Sequence, residues 1–106
     1  MEGRKNQRME CLMHLEEARA ALDLIDAQIA DLFCQRLDVV EEIAGIKAAG
    51  KLPVHQPGRE EAVLRRLTAN REASRQEALR ALYERIFEIS RARQRRLLDG
   101  EPPGSP

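Results

Sequence analysis

The sequence predicts an all-α chain of three helices, the first of them very long, and three observations lead there. From about Glu10 to Gly50 no proline occurs, and Leu12, Leu15, Ala18, Leu22, Ile25, Ile29, Leu32, Phe33, Val39, Val40, Ile43 and Ile46 recur at the three-and-four spacing of a helix that buries one stripe. Two later segments carry helix-start signals ahead of apolar residues at the same spacing. The composition, 42% hydrophobic but only 3% aromatic, suits a bundle filled with Leu, Ile, Val and Ala better than a β-sandwich. A chain of 106 residues has room for one domain. We draw it at residues 10–98, between a polar lead-in (1–9) and a proline-containing tail (99–106), both expected to be disordered.

The first helix carries the functional lead, because cations are set into its apolar seam. Arg19 and Lys47 fall in seven-residue step with Leu12, Phe33 and Val40, Arg36 falls between Ile29 and Ile43, and Asp26 is a carboxylate in the first of these registers. A buried charge without a partner is strongly destabilising, so an anion from the chain or from a ligand is expected to meet these side chains. Arg36 and Lys47 are eleven residues apart, about 20° from in line and about 16 Å along the axis, so both can reach one small ligand. Arg19 is about 25 Å before Arg36 by the same rise, too far to share that ligand within its own chain.

Length adds a second copy to this picture. A helix of about forty residues runs roughly 60 Å, whereas a compact domain of this size is only about 35 Å across. The remaining residues cannot cover such a seam. The expectation is therefore a two-fold antiparallel homodimer, in which Arg19 enters the partner's site.

Within the long helix, Gly45 is expected to mark close packing against another backbone, and Gly50 to end the helix, with Lys51 and Pro53 beyond it. The segment 51–58 is too short and proline-rich for a strand pair and reads as a loop. The second helix is placed from about Pro57 to Asn70: proline is tolerated in a first turn, and Glu60 and Glu61 suit the helix dipole. Its apolar side is Ala62, Val63 and Leu67. Ser74-Arg-Gln-Glu77 reads as a capping box opening the third helix, whose Ala78, Leu79, Leu82, Ile86, Ile89 and Leu97 continue to about Leu98. Ser90 and Gln94 share a face there, a pair that on its own reads as an ordinary polar flank. The run Arg91, Arg93, Arg95, Arg96 reads as solvated surface.

Several function classes fall away. Lys plus Arg and Asp plus Glu are 18 each, so the formal net charge is zero, and a general nucleic-acid binder would need a cationic excess. Cys11 and Cys34 are too few and too far from clustered histidine for a metal site or a disulfide framework, and they read as free thiols of a reducing cytosol. His14 and His55 have no nucleophile or second histidine beside them in sequence and read as structural or surface residues. With no signal-peptide run and no apolar stretch of membrane length, the expectation is a cytoplasmic protein that does not engage a membrane. What remains is a constellation of Arg, Lys, Gln, Ser and Glu on helices, suited to gripping a small polyanion.

These residues give the sequence a family likeness. Arg19 followed by Leu22, Ile25-Asp26, Ile29, Leu32, Arg36, then Lys47, Pro53, the Gln-Pro-Gly-Arg-Glu run at 56–60 and Ser90-x-x-x-Gln94 resemble, in order and near spacing, the all-helical (AroQ-type) chorismate mutases. The resemblance covers about residues 12–98. It implies a three-helix chain in an intertwined homodimer, an isomerase of aromatic amino acid biosynthesis, and the Claisen rearrangement of chorismate to prephenate without a cofactor or metal. It also implies roles. Arg36, and Arg19 from the partner chain, would clamp the substrate carboxylates; Lys47 and Gln94 would donate to the breaking ether oxygen; Glu60, with the backbone near Gln56, would hold the ring hydroxyl; Arg59 and Ser90 would complete the polar shell. Whether a larger partner enzyme activates so short a chain stays open. Gln56 stands where the family commonly has Asp. Relatives on the same fold act on isochorismate or 4-amino-4-deoxychorismate, and the stretch at 56–59 resembles some of the latter. Glu60 favours chorismate, because a carboxylate accepts a hydrogen bond from a ring hydroxyl, although it can also favour an ammonium group. A helical dimerisation module without catalysis is the reading from another class, and it would require chain carboxylates, Asp26 first, to neutralise the inward cations.

Overall fold

The structure, a computed structural model, describes the backbone of residues 4–99 and the side chains of residues 14–99. Its described elements are α1 (Arg4–Ala49, 46 residues), α2 (Pro57–Thr68, 12 residues) and α3 (Ala73–Leu98, 26 residues), with no strand among the described residues. The all-helical expectation holds, as does the long first helix. That helix starts at Arg4 rather than near Glu10. Of the lead-in expected to be disordered, residues 1–3 lie outside the described residues, as do residues 100–106 of the tail; Asp99 caps α3 through its N–H to the Arg95 carbonyl. Among the described residues no helix is long and apolar enough to cross a membrane.

The chain divides into two units at Arg36 and Leu37. In the first, α1 is rich in Ala, Leu, Glu and Arg and has no proline, so local propensity favours a helix. Its apolar stripe is bare in the single chain: Leu15, Leu22, Ile25, Ile29 and Leu32 are all exposed, and so is Leu24 beside them.

The second unit holds the rest of α1 with α2 and α3. Its buried side chains are Val40, Ala44 and Phe87 together with the polar Thr68, Ser90 and Gln94. Val40, Ala44 and half-buried Lys47 follow one another at i, i+4, i+7, so the covered face of α1 here is the register that carries the lysine. Val39, Ile43 and Ile46, on the adjacent face, are exposed. Phe87 is packed edge-on by Tyr83, one turn earlier on α3, with ring centroids 5.6 Å apart. A Cβ at Gly45 would meet nothing within 4 Å, so the close backbone approach expected there is not made within the chain.

The helix ends differ from expectation in ways that matter for the site. The α1 terminus is a Schellman motif: the Leu52 N–H bonds to the Lys47 carbonyl (2.8 Å) and the Lys51 N–H to that of Ala48 (3.2 Å). The left-handed residue is Lys51 (φ 55°), not Gly50. At α2, Pro57 opens the helix as expected, Gln56 is the N-cap, and its carbonyl accepts the N–H groups of Arg59 and Glu60 at 3.1 Å. The helix stops at Thr68, short of Asn70, which takes the left-handed conformation that asparagine tolerates (φ 62°). The expected capping box does not form. The N-cap of α3 is Glu72, which places Ser74 inside the helix, where its hydroxyl donates to the Glu72 carboxylate at 3.0 Å. Gln76 reaches back instead, its amide donating to the Arg71 carbonyl at 2.8 Å.

Candidate active site

Lys47 and Gln94, 47 residues apart in sequence, meet in the second unit. The Lys47 Nζ donates to Gln94 Oε1 at 2.9 Å and to the Val54 carbonyl at 2.7 Å. The Schellman cap makes the second contact available, because it turns the chain back directly after α1 and returns residue 54 alongside residue 47. Burial pulls the Lys47 ammonium below its usual pKa, and the negative charge of Glu60 works against that shift. An ammonium can only donate, so Gln94 must present its oxygen to Lys47, and its NH2 is the donor end of a buried side chain. A desolvated cation and an oriented amide are thereby fixed side by side.

Glu60, in the first turn of α2, is bound by Arg91 of α3, whose Nη1 straddles both carboxylate oxygens at 2.7 Å. Both side chains are largely covered, at 23% and 21% exposure. His55 Nε2 lies 3.8 Å from Glu60 Oε1. Glu60 is therefore a carboxylate matched by a guanidinium, with Lys47 close enough to feel its charge. The Arg91 partnership is a correction to the expectation that the run from Arg91 to Arg96 is solvated. Arg93 departs from it too, gripping Glu41 of α1 from Nε (3.1 Å) and Nη2 (2.9 Å), whereas Arg95 is exposed. The signal for Arg91 was in the sequence: it lies four residues after Phe87 and three before Gln94, on the covered stripe of α3.

Of the other residues singled out from the sequence, Ser90 is buried and its hydroxyl donates to the Ile86 carbonyl at 2.8 Å. Gln56 is half-buried; its amide turns to the Pro53 carbonyl at 3.4 Å and its own carbonyl is taken by α2, which leaves its N–H as the backbone group that can meet a ligand. Arg59 is exposed on the first turn of α2. The convergence thus comprises Lys47, Gln94, Glu60 and, newly, Arg91. Arg19 and Arg36 belong to the first unit, where Arg19 is exposed and Arg36 half-buried; Asp26, the expected neutralising carboxylate, is exposed. Cys34 is an exposed free thiol, and the side chain of Cys11 lies outside the described residues.

Fold and site together define an all-helical domain in which a half-buried lysine is bound to a buried glutamine and a largely covered carboxylate is bound to a guanidinium. The family model described as chorismate mutase type II matches residues 18–95, and the chain belongs to that family, which is one of isomerases. The T-protein of Haemophilus influenzae is 28% identical over 88 residues, which cover 81% of this chain and 23% of that protein. The chain thus spans less than a quarter of the length of that relative. No solved structure matches the chain.

Proposed function

We propose that the chain is a chorismate mutase that rearranges chorismate to prephenate, working as an antiparallel, intertwined homodimer with Arg19 donated across the interface. The observation that carries this reading is the state of Lys47. Its two hydrogen bonds go to neutral oxygens, whereas Arg91 and Arg93 are each matched by a carboxylate of the chain. A scaffold with no ligand would match Lys47 in the same way. Family membership then supplies the ligand class, a dicarboxylate.

The reaction forms one carbon–carbon bond as the ether carbon–oxygen bond breaks, with no proton or electron exchanged. The protein has two tasks: to hold the flexible substrate in the compact conformer, and to stabilise negative charge growing on the ether oxygen with fixed donors. Lys47 keeps a third N–H beyond its two described bonds, and the Gln94 NH2 points from the same place, so this pair serves the second task. Arg36 and the partner's copy of Arg19 serve the first by gripping the carboxylates, with Arg59 and Ser90 in the polar shell. Glu60 accepts the ring hydroxyl, with the Gln56 N–H beside it. The bare stripe of α1 supports the homodimer, because exposed Leu22, Ile25, Ile29 and Leu32 form a surface that a second copy would bury.

Loss of chorismate absorbance with purified protein, with products identified, is the test, and isochorismate and 4-amino-4-deoxychorismate are run in parallel. Prephenate formed at enzymatic rates is the expected result. Salicylate from isochorismate, or turnover of the amino compound alone, would replace the substrate while keeping the cation clamp. No turnover of any of the three would point to a non-catalytic module or to a need for an activating partner enzyme.

A further inference from the structure

Arg91 has no part in the scheme above, yet it is the group most tightly bound to one of its members. Its Nη1 touches both oxygens of Glu60, and both side chains are mostly withdrawn from solvent. We infer that Arg91 is a specificity-determining positioning residue, acting through Glu60 to admit a ring hydroxyl and reject a ring ammonium. The inference rests on the reading of Glu60 as the acceptor for that ring substituent.

Charge makes the selection. A lone carboxylate attracts an ammonium more strongly than it attracts a hydroxyl, so Glu60 by itself would favour an amino substrate. With Arg91 on both oxygens the pair is neutral, and what it offers a ligand is its remaining lone pairs, enough for a hydroxyl donor. A cationic substituent placed there would meet Arg91 and Lys47 at once, and like charges in a partly desolvated site are costly. The surroundings sharpen the effect. Arg91 and Glu60 line one opening between α2 and α3 together with Glu61, Glu84 and Glu88. Without the guanidinium, the charged side chains lining that opening would all be carboxylates, and because Glu61 is shared with Arg65 and Arg80 and Glu88 with Arg85, the loss would be felt at Glu60. One side chain on α3 therefore decides whether Glu60 meets a ligand as half of a neutral pair or as a bare carboxylate.

The experiment compares kcat/KM for chorismate and for 4-amino-4-deoxychorismate in the full chain and in two variants. Arg91→Met keeps the length of the apolar stem and removes the charge; Arg91→Lys keeps the charge. The unaltered protein is expected to prefer chorismate, and Arg91→Met to move the ratio at least about tenfold toward the amino compound. Arg91→Lys should retain most of the original preference. A fall in kcat/KM by the same factor for both substrates in Arg91→Met would overturn the inference while leaving the proposed activity standing. Failure of the unaltered protein to turn over either compound would instead remove the proposed activity.

Should Arg91→Met fold poorly, the unaltered protein carries the test. As pH rises through the titration of the amino substrate, its turnover relative to chorismate should increase, because the rejected charge is lost. The groups facing this site are Lys47 of α1, His55 of the loop, Glu60 and Glu61 of α2, and Glu84, Glu88 and Arg91 of α3. Loss of the Lys47 charge would move the ratio in the same direction, so the ratio is read only over the pH range in which chorismate turnover itself stays constant. A ratio that stays flat across that range would overturn the inference.

Discussion

The two units of this chain solve opposite problems with the same helix. Up to Arg36, α1 has strong helix formers and a continuous apolar stripe but leaves that stripe exposed, with Ile29 at 57% and Leu32 at 62%. From Leu37 onward, α1 shares a unit with two further helices, and its buried positions include polar groups, Ser90 and Gln94, that a purely structural bundle would fill with hydrocarbon. Within the single chain the first unit has exposed apolar surface, and in the second Lys47 hydrogen-bonds to neutral oxygens. Under the proposed function a second copy of the chain would cover the one and a substrate anion would meet the other.

The largest expected effect comes from breaking the first half of that comparison. Charging the bare stripe with Ile29→Glu and Leu32→Glu together should abolish the proposed dimer, as measured by sedimentation, and reduce helicity and turnover together, because in proteins most helical stability comes from packing of an amphipathic face rather than from propensity. A double variant that stays dimeric and active would show that this stripe is not the interface.

The second half is broken at Lys47. Lys47→Ala, and likewise Arg36→Ala, should lower kcat by about 10²–10³-fold or more, the usual loss for a removed transition-state donor, while circular dichroism and the oligomeric state stay unchanged. Unfolding of both variants would make these side chains structural. Sharing between copies then joins the two halves. Mixing Arg19→Ala chains with Lys47→Ala chains should restore a fraction of active sites, and no recovery in confirmed heterodimers would count against donation of Arg19 across the interface.

Much of this comparison was legible in the sequence, for identifiable reasons. Periodicity exposed the long helix and the register of Lys47, since Val40, Ala44 and Lys47 do share the covered face. The pairing of Lys47 with Gln94 came from a family likeness and not from spacing, because 47 residues of separation leave no local trace. Arg91 was missed for a different reason. As a run, the four arginines between 91 and 96 read as one surface, although helix geometry turns each a further 100° or more and sends Arg91 and Arg93 to different carboxylates. The capping box failed because Ser, Glu and Gln were all available near residue 74, and the helix began two residues earlier with Glu72 as its cap.

A smaller effect sharpens the description of the site as a desolvated one. In the proposed mechanism Lys47 acts as a cation, and burial lowers its pKa. The kcat/KM profile should therefore fall on the alkaline side at a pH below the ordinary lysine range, as the ammonium loses its proton. Glu60 holds the proton on by its negative charge. Glu60→Gln should shift that alkaline limb to still lower pH, apart from any loss of rate. An alkaline limb that does not move would mean that Lys47 is not the group being titrated.

The smallest effect lies at the hinge between helix and loop. Lys51 holds a left-handed conformation at the position where a Schellman motif favours glycine, while Gly50, one residue earlier, does not. A side chain with a Cβ costs roughly 1–2 kcal/mol in that conformation, and glycine there returns part of that gain through the greater freedom of the unfolded chain. Lys51→Gly should therefore raise stability by about 0.5–1 kcal/mol, read as an increase of a few degrees in Tm. Turnover should not change, because the bond from the Leu52 N–H to the Lys47 carbonyl, which turns the loop back toward Val54, needs only backbone. A loss of activity with the Tm gain intact would show that the side chain of Lys51, and not only its backbone, contributes to turnover.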